Sequence, residues 1–294
     1  MKTNIFIISI IFWGLACQPN KPKEEANKTP VEQTKIPTLT KKWETDTVLT
    51  TSESVIYDSY RDVLYVSNIN AVPPTAKDDD GFISIVSTMG EILNLKWVTE
   101  ISAPKGMGIV DSSLFVTNID EVIEIDIPSG VIVSRYPVEG AQFLNDITTS
   151  SDGSIYFSDS NTNNIHVLQN GEITLWNNDS TYTGPNGLLH QGSHIMVASY
   201  GGDEFSRIDI NTKMRETITD SIPGGDGVVA FGEHYLVSNW NGEVHFVDNT
   251  GRRTLLLDTK NEGQNAADIC FLPQQNLLLV PTFFANTVVA YEVK

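Results

Sequence analysis

The sequence predicts an all-β fold: a six-bladed β-propeller closed by its own N-terminal strand. Three observations carry that prediction. Helical periodicity is nearly absent across residues 43–294. In its place a short apolar segment, a turn and a β-rich apolar segment recur, the pattern of stacked hairpins. The recurrences begin at residues 53, 105, 145, 186, 226 and 267, at intervals of 52, 40, 41, 40 and 41. A period of roughly 40–45 residues with several strands per repeat marks a propeller blade.

Residues 1–42 stand outside this body. Lys2 precedes an apolar run, Ile5–Ala16, which is too short to cross a bilayer as a helix and suits the core of a signal peptide. The run ends Gly14-Leu15-Ala16-Cys17, which resembles a bacterial lipobox, with Gly14 where a leucine is usual and Leu15 one place late. That resemblance implies that residues 1–17 are a lipoprotein-type signal peptide and that Cys17 is acylated. The alternative is ordinary secretion with cleavage near Ala16 or Cys17. Residues 18–42 are rich in Lys, Glu, Pro and Thr and contain no aromatic residue beyond the leader. Such a composition cannot bury enough apolar surface to offset chain entropy. It reads as a disordered tether holding the body to the bacterial cell envelope, facing the periplasm or the surface.

The body, residues 43–294, holds 12 basic and 34 acidic residues. A formal charge of −22 excludes a phosphate-binding surface and with it nucleic acid as a partner. The acidity fits a solvated exterior and fits cation binding equally.

Taken in order, the paired segments lead from Glu53 to Val63–Asn68, from Lys105 to Leu114–Asn118, and from Asn145 to Ile155–Asp159. They continue from Asn186 to Ile195–Ser199, from Asp226 to Tyr235–Asn239, and from Ala267 to Leu277–Pro281. A third strand follows at Val122–Ile127, Asn164–Leu168, Ser206–Ile210 and Val244–Val247. The longer first interval accommodates Ala71–Gly81, a polar loop that Pro and three aspartates keep out of a sheet. The last blade runs out of chain after Thr287–Val293. Trp43–Thr50, which alternates apolar and polar, is expected to supply its outermost strand and to remove the exposed edge. Cys270 has no partner for a disulfide once Cys17 is acylated, and reads as a small buried hydrophobe.

In a propeller the innermost strand of each blade runs along the central axis, so the residues just before these strands face one another at the channel mouth. Here they are Glu53, Lys105, Asn145, Asn186, Asp226 and Ala267. Two carboxylates and two amide carbonyls suit a hard divalent cation such as Ca²⁺, which takes oxygen ligands and leaves positions for water or substrate. Thiol and imidazole are missing from the ring, which argues against a zinc-type site. Taken singly, Asn-Gly and Asp-Gly are ordinary turn sequences. Their shared register, and the presence of Glu53 among them, is what a turn requirement leaves unexplained.

The order Glu, Asn, Asn, Asp at the heads of the inner strands resembles the calcium-dependent lactonase and phosphotriesterase superfamily of six-bladed propellers, in particular its regucalcin/gluconolactonase-like family. Phe143-Leu144-Asn145-Asp146, Pro185-Asn186-Gly187-Leu188 and Gly225-Asp226-Gly227-Val228 carry the resemblance. It implies a divalent site at Glu53, Asn145, Asn186 and Asp226, with Asp226 also the base or nucleophile. Three departures stand beside it. Phe143 occupies the place of the substrate-contacting arginine of sugar lactonases. None of the five histidines lies at a ring position. Lys105 takes the second-blade anchor, where it can serve as an internal cation.

Asp146 and Asp268, each one place after an anchor, are expected to orient the amides from behind. His190 and His194 fall on different strands and are not a ligand pair. Asp78-Asp79-Asp80-Gly81 lacks the later ligands of an EF-hand and reads as a solvated loop tip. Phe283-Phe284-Ala285 is placed to line the rim. Two functions stay open: a divalent-metal-dependent hydrolase of lactone or phosphoester-type substrates, and a non-catalytic propeller that binds a small ligand or a protein, metal-free if Lys105 replaces the ion.

Overall fold

The computed structural model describes Met1, residues 35–179, Thr181 and residues 183–294. The apolar leader, Cys17 and residues 18–34 of the expected tether lie outside the described residues. Among the described residues no helix is long and apolar enough to cross a membrane.

Twenty-four strands of the described residues form six four-stranded antiparallel sheets. Blades one to five are each built from four consecutive strands, ordered inner to outer as they occur in the chain. Blade six takes Cys270–Leu272, Leu277–Pro281 and Val288–Val293 from the C-terminus and its outer strand from the N-terminus. The ring is therefore closed as expected. The closing strand, however, is Leu39–Glu44, with Leu39 opposite Val293 and Glu44 opposite Val289, and not Trp43–Thr50.

Packing explains the shift. A register irregularity between Lys41 and Trp43 lets Leu39 and Trp43 both reach the blade-six cores. Thr40, Lys41 and Lys42 stay exposed, and lysines on an outer strand discourage a further chain from pairing there. Leu49, inside the segment expected to be strand, is instead a fully buried plug between blades six and one. The ordered body thus claims Leu39–Lys42 from the expected tether.

The second and third strands of each blade are covered on both faces by neighbouring blades, so Ile155–Asp159 and Leu277–Pro281 are buried throughout. Outer strands are covered on one face only, and Val131–Pro137 alternates between exposed and half-buried residues. Adjacent blades share clusters such as Tyr65, Ile83, Val98, Met107 and Leu114 between blades one and two.

Two features of the inner strands position the site. Each of the first five starts at one end of the channel, here termed upper, and carries a register irregularity there. These fall between Ser52 and Ser54, Pro104 and Met107, Leu144 and Ile147, Pro185 and Leu188, and Gly225 and Val228. A bulge of this kind re-aims side chains, so two successive residues of one strand address the axis. Direction also follows: Val288 pairs with upper-end Pro281, so the closing strand, antiparallel to Val288–Val293, enters at the lower end.

Candidate metal and ligand site

Glu53, Lys105, Asn145, Asn186 and Asp226 are the second residues of their inner strands, one place inside the strand and not just ahead of it. All five are buried, and all five line one cavity of about 490 Å³ at the upper mouth. Ala267, the sixth anchor, is fully buried and lies outside that lining. Asparagine and aspartate at the ends of the second strands hold two of these anchors in place. Asn118 Oδ1 accepts from Ala103 N at 2.8 Å, two residues before Lys105. Asp159 accepts from Gln142 N and Phe143 N at 3.0 and 2.9 Å, just before Asn145.

Three of the four expected ligand atoms are orphans. Glu53 Oε2, Asn186 Oδ1 and Asp226 Oδ1 are buried side-chain oxygens with no hydrogen-bond partner. The Asn186 amide donates to Asp226, which leaves its own oxygen free. Asn145 donates through Nδ2 to Ser160 Oγ at 3.5 Å, and no hydrogen bond among the described residues engages its Oδ1. A buried oxygen without a donor costs on the order of 1–3 kcal/mol. Three in one ring offer a set of unused acceptors to a cation or another donor. Among the described residues no three His, Cys, Asp or Glu side chains are grouped as a metal would need, so a cation here must draw on amide oxygens as well as carboxylates. The donor set is oxygen throughout, and it fits a hard divalent ion.

Lys105 is 1 % exposed. Its Nζ donates to Ala103 O at 3.1 Å and lies 4.6 Å from the centre of the Phe143 ring, a cation–π contact. Burial brings its pKa down to about 8, although nearby Glu53 pulls it upward.

Asp146 and Asp268 do not back the amides. They form a separate lower layer with Ser54, one residue further along the strands. Asp146 accepts from Leu188 N and Ile147 N, each at 2.6 Å. Ser54 Oγ donates to Asp268 Oδ2 at 2.5 Å, and Asp268 is also hydrogen-bonded to Asp146. Burial raises Asp268 to about 7, against the lowering that its bonds to Ser54 and Asp146 bring. Burial, reinforced by the other carboxylates, also raises Glu53, Asp146 and Asp226 well above the usual range. With one lysine beside four buried acids, ionising them all is costly, and a bound dication would relieve that cost.

The remaining positions of the lower layer are Gly106, Gly187 and Gly227. A Cβ on Gly187 would stand 1.7 Å from Asp226 O, and one on Gly227 would stand 2.4 Å from Ile269 N. Neither glycine has the left-handed backbone that a turn would explain. They are glycines because neighbouring inner strands converge there. The Asn-Gly and Asp-Gly pairs are therefore a ring side chain plus a close approach, not turns.

Above the ring the cavity wall is aromatic on one side. Trp240 meets Phe283 edge-on at 4.4 Å between ring centres, and Phe284 meets Phe283 at 4.8 Å; Phe283 and Phe284 had been placed at the rim from sequence. Phe143, Tyr200, Val72 and Pro74 join them, the last two from the Ala71–Gly81 insertion. The residues missed from sequence share a signal: Ile69, Ser160, Tyr200 and Trp240 each follow the end of a second strand. Ser54 carried one too, since it stands in register with Asp146 and Asp268. His190 and His194 lie on Pro185–Gln191 and His194–Ser199 and do not line the cavity. Asp78 and Asp79 are exposed, as a solvated loop tip should be. Cys270 is free, and burial pushes its thiol up to about 12, far from a nucleophile.

No family model matches the chain, and no curated protein does. Solved structures do. A Xanthomonas campestris gluconolactonase is 15 % identical with a TM-score of 0.65, over 83 % of this chain and 86 % of its own. A protein assigned as a gluconolactonase is 18 % identical with a TM-score of 0.63, over 83 % and 89 %. A streptogramin B lyase is 12 % identical with a TM-score of 0.65, over 88 % and 98 %. At these identities the likeness is one of fold: the chain is a six-bladed propeller of the kind found in gluconolactonases.

Proposed function

We propose that the chain is an envelope-anchored, divalent-metal-dependent hydrolase of lactone or phosphoester-type substrates, with Ca²⁺ as the ion. The observation that carries this reading is the trio of buried, unpartnered oxygens on Glu53, Asn186 and Asp226, three side chains that line a cavity with room for a small molecule. Glu53, Asn145, Asn186 and Asp226 hold the ion, which when bound polarises the substrate's carbonyl or phosphoryl oxygen. The gluconolactonase fold neighbours support a hydrolase of this class.

The chain's own groups do the rest. Asp226, with one oxygen held by Asn186, takes a proton from the attacking water. The water oxygen bonds to the acyl carbon, the ring C–O bond breaks, and the proton passes to the departing alkoxide to give the hydroxy acid. Lys105, fixed by Ala103 O and the Phe143 face, adds positive charge beside the carbonyl oxygen as charge develops on it.

Thermal unfolding of residues 35–294, stripped with chelator and titrated with calcium and magnesium, tests the metal. At one hundred times its dissociation constant a specific ion adds about 2.7 kcal/mol, a rise of about 5–10 °C for a body this size. A saturable calcium-selective rise accompanied by lactone hydrolysis is expected; no rise removes the metal reading. The second reading, a metal-free binding propeller, is favoured by one observation, the Lys105 cation already standing beside Glu53.

A further inference from the structure

The cavity above the ring is two-sided. Blades five, six and one contribute Trp240, Phe283, Phe284, Ile69, Val72 and Pro74, with Thr75 the polar residue among them. Blades three and four contribute the uncharged polar residues Ser160, Asn161, Asn163 and Thr183 beside the aromatic rings of Phe143 and Tyr200. The only charged residues of the lining are Glu53, Lys105 and Asp226, and all three sit at its floor.

Ile69 and Phe283 are buried in one core cluster with Trp240 packed against it, and above them the wall stays exposed. Phe284 is 58 % exposed, Val72 58 % and Tyr200 47 %, at the mouth of the same cavity. Phe283 has a φ of +47°, an uncommon conformation for a bulky residue and one that must be imposed by its surroundings. Two backbone bonds impose it: Phe283 N donates to Ser52 O at 3.2 Å, and Asn286 N donates to Phe283 O at 3.1 Å. The strained turn buries Phe283 as a wedge against Trp240 and leaves Phe284 at the rim. An arrangement that spends backbone strain to hold an aromatic ring at a mouth indicates a hydrophobic occupant.

We propose that this cavity selects uncharged acyl compounds with a hydrocarbon body, alkyl- or aryl-substituted lactones or esters, over polyhydroxylated sugar lactones. The proposal rests on the hydrolase reading. A sugar lactone's hydroxyls would face Trp240, Phe283 and Phe284 with nothing to bond, because the uncharged polar side chains are concentrated on blades three and four. Discrimination against such groups is strong because each would be desolvated without a partner. The reacting carbonyl points to the floor, the ring oxygen to the Ser160–Asn161 side, and the substituent to the aromatic side.

The test compares kcat/KM for γ-lactones bearing methyl, propyl and hexyl substituents and for glucono-δ-lactone, on the full body with calcium. The expected rise is roughly fourfold per added methylene until the wall is covered, with gluconolactone at least 100-fold below the hexyl compound. Phe284→Ser, at a rim position that the fold does not need buried, should lower the hexyl-to-methyl ratio about fivefold or more. In parallel, non-hydrolysable alkyl lactams are titrated against Trp240 fluorescence, with Trp240→Phe as the blank. A flat series, or one in which gluconolactone is preferred, overturns the selectivity and leaves the hydrolase standing. No turnover, but lactam binding that tightens with chain length, removes the hydrolase and keeps the selectivity. No turnover and no dependence of binding on chain length overturns both.

Discussion

Two layers of the same channel, one residue apart along the inner strands, both bury carboxylates and yet end in opposite states. In the lower layer the polar groups complete one another: Asp146 is held by Leu188 N and Ile147 N, and Asp268 by Ser54. In the upper layer Glu53, Asn186 and Asp226 each keep a buried oxygen without a donor. Burial of a carboxylate is thus not the mark of a site, since both layers bury carboxylates. The mark is unfinished hydrogen bonding at a place that a ligand can reach. The lower layer is mortar between blades, and the upper layer is a socket.

The comparison is broken most directly by removing one upper charge. Glu53→Gln and Asp226→Asn should each abolish the calcium-dependent thermal rise and lower lactone turnover by about 10³-fold. The stripped proteins should melt no lower than the parent, because each change deletes a buried charge that the apoprotein holds at a cost. Melting curves with and without calcium, beside initial rates, decide it. Calcium binding that survives both changes moves the ion elsewhere.

A smaller effect, opposite in kind, is expected below. Asp146→Ala strands the N–H groups of Leu188 and Ile147, a loss of about 2 kcal/mol after relief of carboxylate repulsion. That lowers the melting temperature by about 4–8 °C while the calcium-induced rise persists. Should the rise vanish in Asp146→Ala, the two layers form one site and the distinction between them fails.

The acid–base behaviour sharpens the same contrast. Asp268 is raised to about 7 by burial, and Glu53 and Asp226 are raised as well. The native apoprotein therefore binds more protons than the unfolded chain between about pH 4 and pH 7, and stability falls as pH rises through that window. Denaturant midpoints in chelator should decline from pH 5 to pH 8, and calcium should flatten the decline by stabilising the ionised upper carboxylates. Equal slopes with and without calcium would separate the ion from these acids.

Much of this was legible in the sequence because closure into a ring makes period equal position. The spacing of Glu53, Asn145, Asn186 and Asp226 placed four side chains at one mouth with no contact known. Lower visibility has physical causes. The outer strands, such as Arg253–Asp258, are half-exposed and polar, so they lack the apolar run that marks the doubly covered strands. The closing strand hid in Leu39–Lys42, whose lysines read as tether composition but serve an edge. The glycines after the anchors read as turns, because crowding by the next blade leaves no local trace in sequence. Trp240 and Tyr200 required knowing that residues following the second strands rise around the mouth.

Lys105 yields the smallest expected effect and separates the two readings of the upper layer. It is a cation within reach of Glu53 in a ring proposed to hold a dication, and like charges in a buried site repel. Where an ion occupies the socket, Lys105→Met removes that repulsion and should tighten calcium about tenfold, near 1.4 kcal/mol, while slowing turnover through loss of charge at the carbonyl oxygen. Where Lys105 itself is the ion's substitute, the same change leaves Glu53 and Asp226 with no cation at all. The variant should then melt lower, and its loss should fade as pH rises past about 8, where Lys105 of the parent gives up its own proton. Calcium affinity and the pH dependence of melting, measured on this one variant, move in ways that the two readings do not share. Methionine is the right replacement because it keeps an apolar stem against Phe143 while removing the ammonium, with its charge and its bond to Ala103 O.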